Sequence, residues 1–203
     1  MMQGTDEWRQ ARSGKVTASR IADLMARTRN GYGASRANYM AEIIVERLTG
    51  RPTNGYCNAA MQWGIETEPQ ARAAYEFRHD VEVAEVGFIA HPKIEGAGAS
   101  PDGLVGGDGL VELKCPNTST HIDIILSGSV PDRYVKQMQF QLACTGANWC
   151  DFVSFDPRLP EHLQLFQRRI ERDDDLIGEI ETAVRKFLAE VEGKIEALEK
   201  VAA

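Results

Sequence analysis

Apolar residues recur along this chain at two spacings, every three to four residues in some stretches and every second residue in others. The wider spacing is typical of a helix that buries one face, and the alternation is typical of a half-buried strand. The strongest helical pattern runs over residues 173–200. Its apolar side comprises Leu176, Ile180, Val184, Phe187, Leu188, Val191, Ile195 and Leu198. This pattern predicts one long amphipathic helix.

Capping and turn residues divide the rest of the chain into shorter helices. Helices tend to begin after Ser, Thr, Asp or Asn and to end at glycines that can adopt a positive φ. We predict two short helices within 5–29, separated by Gly14, with Thr17 or Ser19 as the cap of the second. Further helices are predicted from an N-cap at Ser35 to Leu48 with Gly50 as the stop, over 58–79, after Pro116 to Leu126, and from a cap at Asp132 to 145 with Gly146 as the stop.

The alternating stretches predict strands over 82–90, 96–102, 110–115, 149–155 and 162–170. Four predicted helices therefore precede the first strand, two lie between the third and fourth strands, and the long helix comes last. This order predicts a single α/β (α+β) domain over 1–203, in which a central mixed β-sheet is flanked by helices.

The helix predicted over 58–79 places a carboxylate on its apolar stripe, which comprises Met61, Ile65, Glu68, Ala71, Arg72 and Tyr75. A buried carboxylate needs an ionic partner or a metal, so Glu68 is a candidate site residue. The alternative is an ion pair with Arg72 at i, i+4, which stabilises a helix only weakly. Pro69 is expected to kink or restart this helix.

A predicted hairpin in the middle of the chain carries the most specific chemistry. Gly106-Gly107 and Asp108-Gly109 predict a tight turn between Asp102 and the strand that holds Glu112 and Lys114. Glu112 and Lys114 share one face of that strand, and Val111 and Leu113 share the other. One or two carboxylates suffice for Mg²⁺, and a lysine beside it can offset charge that develops on a phosphate. The alternative is a surface hairpin with an ion pair.

The charge of the chain is unevenly distributed. The formal net charge is −7, yet residues 1–51 contain nine Lys/Arg against five Asp/Glu. This predicts that a phosphate-binding surface lies in the first quarter of the chain and that non-specific affinity for DNA is modest. A solvated helical face is the alternative.

Within that basic segment, Arg12, Thr17 and Ser19 form a candidate anion site. Hydroxyl groups at the start of a helix, with an arginine just upstream, are donors suited to a phosphate. The alternative is an ordinary capped helix. On the helix predicted from Asp132, Gln137 lies on one side with Tyr134, Met138 and Gln141, and it faces either the sheet and the site or solvent.

Composition narrows the class of protein. Hydrophobic residues are 43% and charged residues 26%, as in an ordinary globular domain. No apolar run approaches the roughly 18–20 residues of a membrane span, and no signal-peptide pattern is present.

The four cysteines are Cys57, Cys115, Cys144 and Cys150. Their spacing favours reduced structural thiols in the cytoplasm over a zinc or iron–sulfur site.

Taken together, the motifs resemble the bacteriophage lambda exonuclease family, the YqaJ-type viral recombinases within the PD-(D/E)xK nucleases. The first matches are Glu7-Trp8, Arg12, Gly14, Thr17-Ala18-Ser19, Trp63-Gly64, Glu68 and Ala71-Arg72. They continue with Ser100-Pro101-Asp102-Gly103-Leu104, Glu112-Leu113-Lys114-Cys115-Pro116, Thr118-Ser119, Tyr134, Gln137, Gln139, Asp156-Pro157-Arg158 and Ile170-Glu171-Arg172-Asp173. The resemblance covers nearly the whole chain in register.

The resemblance implies a role for individual residues within a restriction-endonuclease-like core. Asp102 and Glu112 are similar to the family's metal-binding carboxylates, with the Leu113 carbonyl as a further ligand, and Lys114 is similar to its catalytic lysine. Glu68 and Gln137 resemble side chains that line the site. Arg12, Ser19 and Ser100, with Thr17 close by, resemble the pocket for a terminal 5′-phosphate. Thr120 departs from the pattern, because lambda exonuclease has a DNA-contacting arginine there.

The activity that the resemblance implies is ATP-independent, processive 5′→3′ degradation of one strand of linear duplex DNA. It implies a need for Mg²⁺, with Mn²⁺ as a substitute. It also implies a toroidal homotrimer and a phage single-strand annealing protein as partner, in the cytoplasm of a bacterial host. Two alternatives stay open at this point: a PD-(D/E)xK endonuclease that cuts internally, and a non-catalytic DNA-end-binding module.

Overall fold

A mixed sheet with helices on both faces occupies the centre of the computed structural model, which describes residues 2–29, 31–53 and 58–202. The helices are α1 Asp6–Arg12, α2 Ile21–Met25, α3 Ala34–Thr49, α4 Ala59–His79, α5 Thr118–Ser127, α6 Asp132–Thr145, α7 Glu161–Gln164 and α8 Asp174–Ala202. The strands are β1 Val16–Thr17, β2 Arg27–Thr28, β3 Gly31–Tyr32, β4 Val83–Ala84, β5 Ile89–Ala90, β6 Ala97–Ala99, β7 Gly103–Val105, β8 Gly109–Lys114, β9 Trp149–Phe155 and β10 Leu165–Glu171.

The main sheet has five strands in the order β10-β9-β8-β7-β4. Only β8 and β9 pair in parallel, and the other three pairs are antiparallel. A second sheet, in the order β1-β6-β5, joins the amino-terminal segment to the middle of the chain through the parallel pair β1 and β6. The prediction of a central mixed sheet flanked by helices is therefore confirmed.

Each face of the main sheet has its own apolar core. On one face, Ala71 and Tyr75 of α4 pack with Val111 and Leu113 of β8. On the other face, helices α5 and α6 cover the buried residues Leu110, Cys150 and Phe152, among others. A third core joins α2, α3 and α8 to β1 and β6. Because side chains alternate along β8, its even-numbered residues point towards the face that carries α6.

Several predicted strands are shorter than the alternating pattern suggested. The stretch 82–90 contains two two-residue strands, β4 and β5, which belong to different sheets. The stretch 96–102 supplies β6 only, and 162–170 begins with the short helix α7. Alternation reports which residues are half-buried, but backbone pairing depends on where a partner strand lies. The sequence pattern therefore overestimated the length of these strands.

The predicted helix caps were right at the glycines and wrong at most amino-terminal ends. Gly50 and Gly146 both end their helices with positive φ. Thr17 instead belongs to β1 and makes no capping bond, and α2 begins later, at Ile21, without a side-chain cap. At α3 the N-cap is Gly33 rather than Ser35, and at α6 it is Pro131 rather than Asp132.

Helix α4 continues through Pro69 as one helix of 21 residues, so the proline does not restart it. The predicted apolar stripe of α4 is wrong in its first half, because Met61 and Ile65 are more than half exposed. The buried positions are Thr67, Ala71 and Tyr75. The first two turns of α4 are therefore mostly exposed, and the later turns carry its buried face.

Three cysteines, Cys115, Cys144 and Cys150, are buried free thiols. Burial raises the pKa of Cys115 to about 12 and raises the pKa of the other two thiols as well. These three residues therefore act as small apolar core residues. Cys57 lies outside the described residues. No helix of the described chain is both long enough and apolar enough to cross a lipid bilayer.

Candidate active site

The hairpin of β7 and β8 presents the predicted site residues at one end of the main sheet. Its turn contains Gly106 at a φ of 60°, a conformation that glycine adopts without strain. Val111 and Leu113 of β8 face α4, as the core on that side shows. Glu112 and Lys114 therefore face α6, and the predicted division of β8 into two faces is confirmed.

The Glu112 carboxylate is fully buried and accepts hydrogen bonds at both oxygens. Gln137 Nε2 donates to Oε1 at 2.5 Å, and Gln141 Nε2 donates to Oε2 at 2.6 Å. Lys114 Nζ forms an ion pair with Oε1. Gln137 thus faces the sheet, as one of the two alternatives for it anticipated. A buried carboxylate without such donors would be strongly unfavourable, so these contacts explain how Glu112 is tolerated.

Asp102 lies beside this pair, just before β7. Its Oδ2 accepts a hydrogen bond from the Leu113 backbone N–H at 2.7 Å, which ties the carboxylate to β8. Withdrawal from water and the nearby Glu112 carboxylate raise the pKa of Asp102 well above its ordinary value, although Lys114 acts in the opposite direction. Burial alone would lower the pKa of Lys114, but the attraction of Glu112 and Asp102 outweighs it and raises that pKa.

These residues fit a hard divalent cation. Asp102 and Glu112 offer carboxylate oxygens, and the Leu113 carbonyl is a third oxygen on the same strand. Within the described ranges, no group of three or more His, Cys, Asp or Glu side chains could hold a metal ion by itself. Mg²⁺ needs only one or two protein carboxylates, because it keeps several waters. Burial first, and then the nearby Glu112 carboxylate, raise the pKa of Asp102, and a divalent cation bound to both carboxylates would oppose both effects.

Glu68 approaches this group from the opposite face of the sheet. Its Oε1 pairs with Arg72 Nη2 at 2.9 Å, which is the alternative that the spacing on α4 suggested. Burial raises the pKa of Glu68, and Arg72 and Lys114 partly offset that effect. Arg72 Nη1 also donates to the Asp102 carbonyl at 2.6 Å. Arg72 therefore links Glu68 to the backbone of Asp102.

The basic amino-terminal segment contributes a second group of residues. Arg12 stacks its guanidinium 4.0 Å from the centre of the Trp8 ring, and Trp8 Nε1 donates to Ser100 Oγ at 3.0 Å. Burial lowers the pKa of Arg12, yet a guanidinium stays protonated in proteins. None of the described residues forms an ion pair or hydrogen bond with the Arg12 guanidinium. A partly buried cation without a direct ion-pair partner is suited to bind an anion.

The hydroxyl groups of Thr17 and Ser19 lie 3.4 Å apart on the same side of this cavity. Thr17 is held by its backbone N–H, which donates to Tyr39 Oη at 3.0 Å. The hydroxyl groups come together through strand β1 and the short helical turn after it, and not through a capped α-helix as predicted.

A single cavity of about 160 Å³ joins the two groups. Its walls include Arg12, Thr17, Ser19 and Ser100 on one side and Asp102, Glu112, Lys114 and Gln137 on the other. Glu68 is not part of its lining. Eight of the ten residues singled out in the sequence therefore line one cavity, whereas Leu113 and Glu68 are not part of its lining.

The sequence analysis assigned no role in the site to four residues that touch these groups. Trp8 and Gln3 line the cavity, and Gln3 Nε2 donates to the Pro101 carbonyl at 2.8 Å. Gln141 and Arg72 hold Glu112 and Asp102 in place. Trp8 and Arg12 lie four residues apart on α1, and Gln137 and Gln141 lie four apart on α6, so helical spacing could have found both partners. Nothing in the sequence pattern indicates Gln3.

Comparison with known proteins identifies relatives of this chain by sequence and by fold. Residues 7–148 match the YqaJ-like viral recombinase domain. The alkaline exonuclease LHK-Exo from Laribacter hongkongensis is 58% identical, with 98% of each chain covered and a TM-score of 0.91. Its structure in complex with dAMP gives a TM-score of 0.92.

More distant proteins extend the comparison. A phage-related exonuclease from Haemophilus somnus shares the fold at 16% identity, with a TM-score of 0.72 over 94% of this chain and 99% of that one. An uncharacterized protein of Acanthamoeba polyphaga mimivirus is 28% identical over 168 residues, which are 74% of this chain. The chain spans only 28% of the length of that viral protein.

The family model covers most of the chain, including α1, the hairpin and α6, and the fold is the restriction-endonuclease-like one of LHK-Exo. The chain belongs to the YqaJ-like viral recombinase family.

Proposed function

We propose that this protein is a metal-dependent DNA exonuclease of recombination that degrades one strand of linear duplex DNA in the 5′→3′ direction. One observation carries the proposal. A cavity of about 160 Å³ is lined both by an unpaired arginine with hydroxyl groups and by the Asp102, Glu112 and Lys114 group. Such a cavity suits a nucleotide whose terminal phosphate is bound at one side while the next phosphodiester lies at the other.

The related structures support a nucleotide in this cavity. LHK-Exo is an alkaline exonuclease and has been crystallised with dAMP, a mononucleotide with a 5′-phosphate. An exonuclease that acts from a 5′ end would release such a mononucleotide. At 58% identity and with 98% of each chain covered, the same chemistry is the simplest proposal for this chain.

In this proposal, Arg12, Thr17, Ser19 and Ser100 bind the terminal 5′-phosphate. Asp102, Glu112 and the Leu113 carbonyl hold Mg²⁺, or Mn²⁺ in its place. When bound there, the ion would supply an activated water and would stabilise negative charge on the phosphodiester. Lys114, held against Glu112, orients the attacking water and offsets charge in the transition state. Gln137 orients Glu112.

Glu68 has a supporting part in the same proposal. It lies outside the cavity, but its ion pair with Arg72 and the bond from Arg72 to the Asp102 carbonyl connect it to the metal ligands. Glu68 therefore acts on the site through Arg72 and through its own charge.

The family resemblance extends the proposal to assembly. Processive digestion by a toroidal homotrimer would let an acidic chain of net charge −7 stay on DNA, because enclosure replaces part of the electrostatic attraction. The 3′ single-stranded overhang would then pass to a phage single-strand annealing protein.

The test is a nuclease assay on matched linear and closed circular duplexes, each with Mg²⁺ or with EDTA. We expect mononucleotides from the linear duplex with Mg²⁺ and no release under the other three conditions. Cleavage of the closed circle would instead indicate an endonuclease. A folded protein that cleaves neither substrate would indicate a DNA-end-binding module.

A further inference from the structure

Gln141 lies in the middle of α6, one helical turn after Gln137, and its side chain is fully buried. Its Nε2 is 2.6 Å from Glu112 Oε2, whereas Gln137 Nε2 is 2.5 Å from Glu112 Oε1. An ionised carboxylate can only accept hydrogen bonds, so each glutamine must present its amide N–H group to it. Each oxygen of Glu112 thus has its own donor from a separate turn of one helix.

The carbonyl oxygen of the Gln141 amide, in contrast, lowers the stability of the protein. Gln141 Oε1 is buried and has no hydrogen-bond partner among the residues that the structure describes. A buried acceptor without a partner lowers stability, and methionine would fill a similar volume without that penalty. The benefit of glutamine at this position therefore resides in the single bond from Nε2 to Glu112.

The hydrogen bond from Gln141 restricts rotation of the Glu112 carboxylate plane, which the glutamate side chain alone leaves free. The terminal torsion of a glutamate side chain has a broad, two-fold profile, so the carboxylate plane can rotate easily. A donor at one oxygen leaves much of this freedom, whereas donors at both oxygens fix the plane. Amide donors are also neutral, so, unlike Lys114, they do not offset the negative charge of Glu112.

We propose that Gln141 is a positioning residue that fixes the plane of the Glu112 carboxylate for a divalent cation. This inference rests on the proposed function, because it assumes that Glu112 is a metal ligand. Gln141 itself touches neither the ion nor DNA in this account, since it is not part of the cavity lining. Its contribution is the orientation of a ligand, as with other residues that support metal ligands.

The test is Mg²⁺ binding by Gln141→Met in the absence of DNA. Isothermal titration calorimetry and the rise in unfolding temperature with Mg²⁺ concentration both report binding without any need for activity. We expect the Kd for Mg²⁺ to increase by about 10- to 100-fold. In a nuclease assay, the Mg²⁺ concentration for half-maximal rate should increase similarly, while the rate at saturating Mg²⁺ should change little.

Gln139→Met is a matched control on the same helix. Gln139 is also buried, but its Nε2 donates to the Glu171 carbonyl at 2.7 Å and its Oε1 accepts from the Asp173 N–H at 2.9 Å. These bonds hold the start of α8 and do not reach Glu112. We expect Gln139→Met to lower the unfolding temperature and to leave the Kd for Mg²⁺ unchanged.

The outcomes separate this inference from the proposed function. If wild-type protein binds Mg²⁺ and Gln141→Met binds it equally well, the positioning role is wrong. If neither binds Mg²⁺, the proposed metal site itself is wrong, and the inference is overturned with it. Should Gln141→Met fail to fold, Gln141→Asn answers the same question, because its amide is one methylene too short to reach Glu112.

Discussion

Lys114 is the single residue on which the proposed chemistry depends most. It is three-quarters buried, and its ammonium group is held by the Glu112 carboxylate and faces the cavity. We expect Lys114→Ala to lower kcat for linear duplex DNA by about 10²–10³-fold or more, because the variant loses a preorganised positive charge at the scissile phosphate. Affinity for duplex ends should change far less.

Lys136→Ala, which breaks a helix-surface ion pair with Asp132, is the control for Lys114→Ala. Wild-type turnover by Lys114→Ala would remove this residue from the mechanism.

Arg12 provides the test of end recognition. Its guanidinium stacks on Trp8 and lacks a partner of opposite charge among the described residues. Charge-assisted hydrogen bonds contribute about 1.5–3 kcal/mol, so Arg12→Ala should reduce the preference for 5′-phosphorylated over 5′-hydroxyl ends by about 10- to 100-fold in kcat/KM. Arg9→Ala, on the same helix but exposed and paired with Asp6, should keep the preference. Equal use of both ends by the wild-type protein would contradict the phosphate pocket.

Asp102 provides a prediction about pH. Its pKa in the folded protein lies well above the value of about 3.9 expected in the unfolded chain. The folded state therefore holds this proton more tightly, and the associated stability is present at about pH 4 and below. It is lost as the pH rises through the folded-state pKa.

Without divalent metal, Asp102→Asn should therefore unfold at a higher temperature than the wild-type protein at pH 8. The asparagine carbonyl can still accept the bond from the Leu113 N–H group. The difference should shrink towards pH 4 and should also shrink when Mg²⁺ binds to the wild-type protein. Thermal unfolding in EDTA measures it. A wild-type protein that is the more stable of the two at pH 8 would contradict a raised pKa of Asp102 in the folded protein.

At the scale of elements, the turn at Gly14 sets where α1 lies relative to β1. Gly14 has a φ of 70°, its N–H donates to Glu46 Oε2 at 2.6 Å, and its carbonyl accepts from Arg47 Nε at 2.8 Å. Helix α3 thus holds the turn that places Arg12 on one side of the cavity and Thr17 on another. A Cβ at Gly14 would lie only 2.9 Å from Arg47 Cγ.

Gly14→Ala should therefore lower stability by roughly 1–2 kcal/mol from the positive φ alone, and by more from the contact with Arg47. It should also raise KM for 5′-phosphorylated duplex, because α1 must shift. Gly50→Ala is the matched control, since Gly50 has a similar φ of 65° with open space around its Cβ position. We expect it to lower stability and to leave KM unchanged. Equal KM values for both variants would show that the turn does not position the pocket.

The elements also show what the sequence pattern can and cannot predict. Strand β9 and the glycine ends of α3 and α6 followed directly from local pattern and backbone preference. The cap at Thr17 did not, because that residue instead pairs with Gly98 on a strand 81 positions away in the sequence. The apolar stripe of α4 failed at Met61 and Ile65, which are more than half exposed. Local sequence periodicity cannot predict a strand pairing between distant segments or the exposure of one part of a helix.

At the scale of the whole molecule, the chain joins two groups that local sequence keeps separate. The residues from Arg12 to Ser19 and those from Ser100 to Lys114 line one cavity because β1 pairs in parallel with β6. Charge distribution and helix capping predicted the first group, turn residues and strand alternation predicted the second, and the family resemblance connected them. The supporting contacts of Trp8, Arg72 and Gln141 depend on the packing of whole helices, so only the structure revealed them.

The uneven charge of the molecule fits this arrangement. The carboxylates of Asp102, Glu112 and Glu68 lie around one lysine and one paired arginine, while the unpaired arginine lies across the cavity. A cation bound to the carboxylates and a phosphate bound to Arg12 would neutralise the charge of both groups. The net charge of −7 therefore does not exclude a DNA substrate, since recognition is concentrated in one enclosed position.

The most direct measurement is the order in which labels leave a linear duplex that carries one label at its 5′-phosphates and a different label at its 3′ ends. We predict that, with Mg²⁺, the 5′ label appears as a mononucleotide in the first turnover, while the 3′ label stays in long single strands. Release of the 3′ label first, or of both labels in fragments of many lengths, would contradict a site that binds a 5′-phosphate beside Asp102, Glu112 and Lys114.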